Sequence, residues 1–299
     1  MKLAGIAALT AICMLTASCA GGEPVVVDRM IDIGPHALHV RIAGTGSPAV
    51  VIDTGVAGLS DEWRPIQDRL AGATTVVVYD RAGYGRSQPG PLPRDAGREM
   101  DELKALLDAA DVPGPYLLVG HSLGGLNVQV FAATYPGDVA GLVLLDPPPI
   151  GWLKGERYSA LLGLSEEMTN EWQTIADEGE GSDDPGERAR AMFFKTIASE
   201  HREMLGESGQ LVSDIDSFGD IPVTVVAAGV PNPHFGDLAD EYQHYWIDES
   251  RILSEKSTRG EFILARESTH RLHEDAADTV VASILEMLSG DNERSKNEK

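Results

Sequence analysis

At 299 residues with 42% hydrophobic side chains, the chain can bury a substantial core, and its length suits one large α/β domain with an insertion better than two independent domains. The balance of 47 acidic against 24 basic residues leaves a formal charge of -23, whose field argues against nucleic acid or an anionic membrane surface as a partner. The cysteines, Cys13 and Cys19, lie in or at the edge of the N-terminal leader, so no disulfide, thiolate chemistry, zinc site or other metal or cofactor is expected in the folded part.

Residues 1–18 read as an export signal, in which one charge, Lys2, precedes an apolar run too short for a membrane span. The run ends Leu15-Thr16-Ala17-Ser18-Cys19, which resembles a bacterial lipobox, with Thr16 where leucine is usual. That resemblance implies lipidation of Cys19 as the mature N-terminus and an exported protein held on the cell envelope by its lipid. Cleavage after a small residue such as Ala20 is the alternative, and it leaves a periplasmic or secreted domain.

Beyond a short tether at Gly21 and Gly22, residues 25–33 and 38–43 alternate apolar with polar side chains around Gly34-Pro35, which predicts an antiparallel hairpin. Residues 48–53 predict a buried strand running into Thr54-Gly55-Val56-Ala57-Gly58, a glycine loop able to turn backbone N–H groups toward a developing oxyanion. A helix over 61–70 capped by Ser60 or Asp61, a strand over 75–79 and an amphipathic helix over 95–110 follow. Strands alternating with helices of this length imply a mainly parallel sheet covered on both faces.

The chain is organised around Val119-Gly120-His121-Ser122-Leu123-Gly124-Gly125. It follows the apolar strand pattern 116–119 and precedes a segment with apolar residues at helical spacing, so the Gly-x-Ser-x-Gly run sits on a strand-to-helix turn, the setting of a nucleophile elbow. Ser122 is the candidate nucleophile. Residues 147–218 then break the strand-helix rhythm; their large apolar residues, among them Leu161, Met168, Trp172 and Phe193, predict a small helical lid with a mobile acidic loop at 177–187. A strand over 221–228, a charged helix over 237–254, a strand over 261–265 and a helix over 275–288 complete the core, and the polar tail 290–299 is expected to be disordered.

The elbow, the Asp-Arg-x-Gly-x-Gly-x-Ser loop at Asp80 to Ser87 and the strand end Val143-Leu144-Leu145-Asp146-Pro147 together resemble the α/β-hydrolase superfamily, and more narrowly its bacterial serine hydrolases of esterase type. The resemblance implies an eight-stranded, mainly parallel sheet flanked by helices, with a core over 25–146 and 219–289 and the lid over 147–218. Thr54-Gly55 stands where most of the superfamily has His-Gly, which leaves the backbone donor at Val56 in place. The loop Asp80 to Ser87 reads as structural, shaping a turn near the sheet edge.

A serine hydroxyl needs a base within hydrogen-bond reach and a third group to orient that base. The resemblance places the base at His270, beyond the last strand; His273 would then start the last helix as a surface residue. The acid is Asp146, at the end of the sixth strand, or Asp237, with Asp240 further along and the amide Asn232 at the usual acid position. The oxyanion donors are the N–H groups of Leu123 and Val56. The expected activity is hydrolysis of a small carboxylic ester through an acyl-enzyme, with peptidase, thioesterase, acyltransferase and a turnover-deficient binding protein as alternatives.

Overall fold

The structure, a computed structural model, describes residues 26–155 and 158–297. The leader, Cys19 and the tether lie outside the described residues. Eight strands form one sheet in the order β1-β2-β4-β3-β5-β6-β7-β8. They are β1 Val26–Asp32, β2 Ala37–Ala43, β3 Ala49–Asp53, β4 Val76–Tyr79, β5 Tyr116–His121, β6 Val139–Leu145, β7 Val223–Ala228 and β8 Gly260–Ala265. The hairpin β1-β2 is antiparallel and β2 meets β4 antiparallel, while β4, β3, β5, β6, β7 and β8 run parallel.

The central strands are apolar at nearly every position because both of their faces are covered. Alternate residues serve opposite cores: Val51, Leu118 and Leu144 face one, and Ile52, Val119 and Val143 the other. The first core takes Leu103 from α2 (Ala96–Ala109) and Phe131 from α3 (Leu123–Thr134). The second takes Ile66 from α1 (Arg64–Leu70) and Ile284 from a C-terminal helix. At the start of α1, residues Ser60–Trp63 form a 3-10 turn, entered at Leu59, whose N–H is held by Glu62 Oε2 at 3.3 Å; Ser60 and Asp61 are therefore not its caps.

Between β6 and β7 the chain inserts four helices: α4 (Ile150–Leu153), α5 (Ser159–Glu180), α6 (Pro185–Leu205) and α7 (Glu207–Ser213). The acidic stretch expected to be a mobile loop is mostly helix. Asp184 caps α6 by accepting from the Gly186 N–H at 2.6 Å, and Lys195 Nζ ties α6 to Glu180 at the end of α5 at 2.7 Å. After β7 come a short 3-10 stretch, Pro233–Leu238, and α8 (Ala239–Ser254); after β8 come α9 (Leu272–Asp275) and α10 (Ala277–Asn297). Helix α10 thus continues into the segment read as a disordered tail, where no proline interrupts it.

Candidate active site

Strand β5 ends at His121, and Ser122 turns the chain into α3 with φ 53° and ψ -121°. A side-chain-bearing residue at positive φ is strained, and this strain is held by close backbone approach on both sides. A Cβ at Gly120 would stand 2.3 Å from the Gly124 carbonyl oxygen, and one at Gly124 would stand 2.3 Å from the Asp53 carbonyl oxygen. Only glycine fits where β5, α3 and β3 converge. Leu123 is the first residue of α3, so its N–H has no acceptor within the helix.

Asp146 follows β6, the neighbour of β5, and also lies at positive φ, 49°. Its carboxylate is buried and fixed from two sides: Oδ1 accepts the Ala228 N–H at 2.9 Å, and Oδ2 lies 2.6 Å from His270 Nδ1. The structure therefore brings together Asp146 and His270. Asp237, on the 3-10 stretch after β7, is exposed, and so is Asp240 on α8. His270 itself sits in a loop tied down by Asp275, whose Oδ2 accepts the Thr269 N–H at 3.0 Å and also the Thr269 hydroxyl. Ser122, Asp146, His270, Val56 and Asn232 all line one cavity of about 200 Å³. Its remaining wall is largely apolar, with Leu161, Leu164, Met168 and Trp172 from α5, Met204 from α6 and Trp246 from α8.

Sequence reasoning missed two groups that hold this arrangement. The first is a stack of rings beside His270. His121 is buried; its Nε2–H donates to the His270 carbonyl at 2.8 Å, and its ring lies 4.8 Å from that of His270. Burial, reinforced by His270, holds His121 well below the usual imidazole range, so it is neutral. His273 is buried as well, stacked at 4.7 Å on Trp63, and not the surface residue expected: Trp63, which arrives from the start of α1, covers it.

The second is a buried ionic network. The Asp80 to Ser87 loop lies after β4, well inside the sheet order, and not at an edge. Arg81 is 1% exposed and donates to Asp53 Oδ1 at 2.9 Å and to Glu200 Oε1 at 3.0 Å. Asn127 Nδ2 links Asp53 to Glu99 at 3.0 and 2.8 Å. Burial and the neighbouring Glu200 raise the Glu99 carboxyl well above its ordinary value. Burial works against the guanidinium charge, but Glu200 and Asp53 outweigh it and keep Arg81 firmly protonated. On the insertion side of the cavity, His201 is likewise buried, which pushes it down to about 4.

Comparison with known proteins agrees with this arrangement at the level of fold. The family model for the alpha/beta hydrolase fold matches residues 48–162. The chain is 29% identical over 252 residues to YqjL of Bacillus subtilis (strain 168), a match covering 84% of this chain and 87% of that protein. It is 38% identical over 111 residues to lipase LipV of Mycobacterium tuberculosis (strain ATCC 25618 / H37Rv), a match covering 37% of this chain and 41% of the lipase, so less than half of that relative is spanned. Among solved structures it superposes on a thermophilic esterase from Thermogutta terrifontis with a TM-score of 0.60 at 20% identity, over 89% of this chain and 98% of that one.

Proposed function

We propose that the chain, whose residues 48–162 match the family model for the alpha/beta hydrolase fold, cleaves carboxylic esters through Ser122, His270 and Asp146. The observation that carries the reading is the 2.6 Å contact between Asp146 and His270 in the cavity that also holds the strained Ser122. With Nδ1–H donated to Asp146, His270 presents the lone pair of Nε2 to the serine hydroxyl. His270 takes that proton as Ser122 attacks the ester carbonyl, then returns it to the departing alcohol; water activated by the same imidazole releases the acid. The N–H groups of Leu123 and Val56 receive the oxyanion, each contributing about 3 kcal/mol in the transition state. The helical insertion acts as a lid, and its apolar side chains suit an apolar acyl or alcohol group. Export and lipid anchoring through Cys19 belong to the same reading; a mature N-terminal mass carrying diacylglycerol in wild type and lost in Cys19→Ser would support them.

The test combines turnover of a short p-nitrophenyl ester with labelling by a fluorophosphonate. Ser122→Ala should abolish labelling and lower kcat roughly 10⁶-fold, and Asp146→Asn should lower it roughly 10⁴-fold. Asp237→Asn should leave it unchanged, because that carboxylate is exposed on the stretch after β7. Labelling of Ser122 without release of product would favour the binding-protein alternative, and loss of activity in Asp237→Asn but not in Asp146→Asn would overturn the assignment of the acid.

A further inference from the structure

The loop Thr54-Gly55-Val56-Ala57 is gripped from below by the buried network, and the grip originates in the insertion. Arg81 Nη1–H donates to the Thr54 carbonyl at 2.6 Å and Arg81 Nη2–H to the Gly55 carbonyl at 2.8 Å. One residue past Val56, the Ala57 N–H donates to Tyr84 Oη at 3.1 Å, holding Ala57 at φ 59°. Both grips meet at one carboxylate. Glu200 on α6, 1% exposed, accepts from Arg81 Nε–H at 3.0 Å, from Arg81 Nη2–H at 3.1 Å and from the Tyr84 hydroxyl at 2.5 Å. Helix α6 is seated closely enough to deliver it: a Cβ on Gly83 would lie 2.3 Å from Thr196 Oγ1, and Ser199 Oγ accepts the Arg94 N–H at 2.9 Å.

The Gly55 carbonyl and the Val56 N–H belong to one peptide plane. In a trans peptide the two point in opposite directions, so a donor fixed on the Gly55 oxygen fixes the Val56 N–H facing away from Arg81. Val56 lines the cavity that holds Ser122. A cation on the carbonyl also polarises the amide and strengthens its N–H as a donor.

We propose that Glu200 is a positioning residue for the oxyanion peptide: through Arg81 and Tyr84 it locks the Gly55–Val56 plane, so the insertion completes the catalytic geometry besides covering the pocket. The assignment rests on the serine hydrolase reading above. An Arg81 released from Glu200 keeps Asp53 as a partner but loses the fork that sets its plane, and the peptide it holds gains freedom. A misplacement of about 1 Å near the reacting centre costs up to about a hundredfold in rate.

The deciding experiment is steady-state kinetics of wild type, Glu200→Gln and Tyr84→Phe on a p-nitrophenyl ester, with active sites counted by fluorophosphonate. Inhibition by an alkyl trifluoromethyl ketone, whose adduct on serine carries an oxyanion, is measured beside it. Glu200→Gln should lower kcat per titrated site roughly ten- to hundredfold with KM within about threefold, and weaken the ketone by the same factor as kcat/KM. Tyr84→Phe, which leaves the Arg81–Glu200 fork intact, should show the same pattern at roughly three- to tenfold, and it decides the matter if Glu200→Gln does not fold. A lowered melting temperature with unchanged kcat per site and unchanged ketone affinity overturns the assignment, as does a change confined to KM. Wild type that neither turns over ester nor takes up label would overturn the hydrolase reading and this assignment together, whereas normal wild-type turnover isolates the role of Glu200.

Discussion

The two flanks of Ser122 are held by opposite physical means. On the side of the Thr54 to Ala57 loop, a buried network centred on one guanidinium does the fixing: Arg81, Asp53, Glu99 and Glu200 are all at most 2% exposed. On the side of His270, neutral rings do it: His273 stacks on Trp63 and meets His121 edge to face, and Trp63 meets His121 at a tilt. The ionic flank is directional, because a guanidinium fork imposes a plane on whatever it holds. The ring flank fixes position by contact area and tolerates rotation. In the proposed mechanism the donors of the oxyanion must be aimed at a charge that exists only in the transition state, whereas the imidazole is oriented chiefly by one hydrogen bond to Asp146 and needs only to be kept in place.

The largest expected effect breaks the ionic flank. Arg81→Met removes the guanidinium that pairs with both Glu200 and Asp53 and leaves those carboxylates buried without it. The loss should be about 3–5 kcal/mol in urea unfolding at pH 8, because an uncompensated buried charge costs more than the pair contributed. Glu200→Gln combined with Arg81→Met should cost less than the sum of the single changes, since both act on one network. Additivity would show that the ions are independent and that the contrast between the flanks is one of composition alone.

How much of this was written locally in the chain follows the same division. The strands and the elbow were legible because periodicity and the Gly-x-Ser-x-Gly spacing are properties of adjacent residues. Asp95 at the start of α2 was legible for the same reason: it accepts from the Arg98 N–H three residues on. The choice between Asp146 and Asp237 was not, because it depends on which strand end faces His270, across a sequence separation of 124. Glu200 reaches Arg81 across a separation of 119 and carried no local mark at all; in the sequence it is one acid in an acidic insertion. His273 shows the converse failure. Beside Glu274 and Asp275 it has the neighbours of a surface residue, and only the arrival of Trp63 from the other end of the core buries it.

The ring flank offers the smaller and sharper test. Among the described residues neither ring nitrogen of His273 has a hydrogen-bond partner, and Nε2 is 3.9 Å from Glu274 Oε1. Burial holds this imidazole, like that of His121, below its ordinary value of 6.5. As pH falls through that value, the unfolded chain takes up protons that the folded protein refuses, so the unfolded state binds more protons and stability falls. Each such group contributes a slope of up to about 1.4 kcal/mol per pH unit on the acid side and none at pH 8. His273→Phe keeps a flat ring against Trp63 and removes two unsatisfied nitrogens, so at pH 8 its stability should lie within about 1 kcal/mol of wild type or above it. Between pH 6.5 and 5 the variant should lose stability less steeply than wild type, by up to that single-group slope, in urea titrations at each pH. An unchanged slope would mean that His273 carries a proton in the folded state, and the flank described as neutral would then hold its histidines by charge, as the other flank holds its peptide.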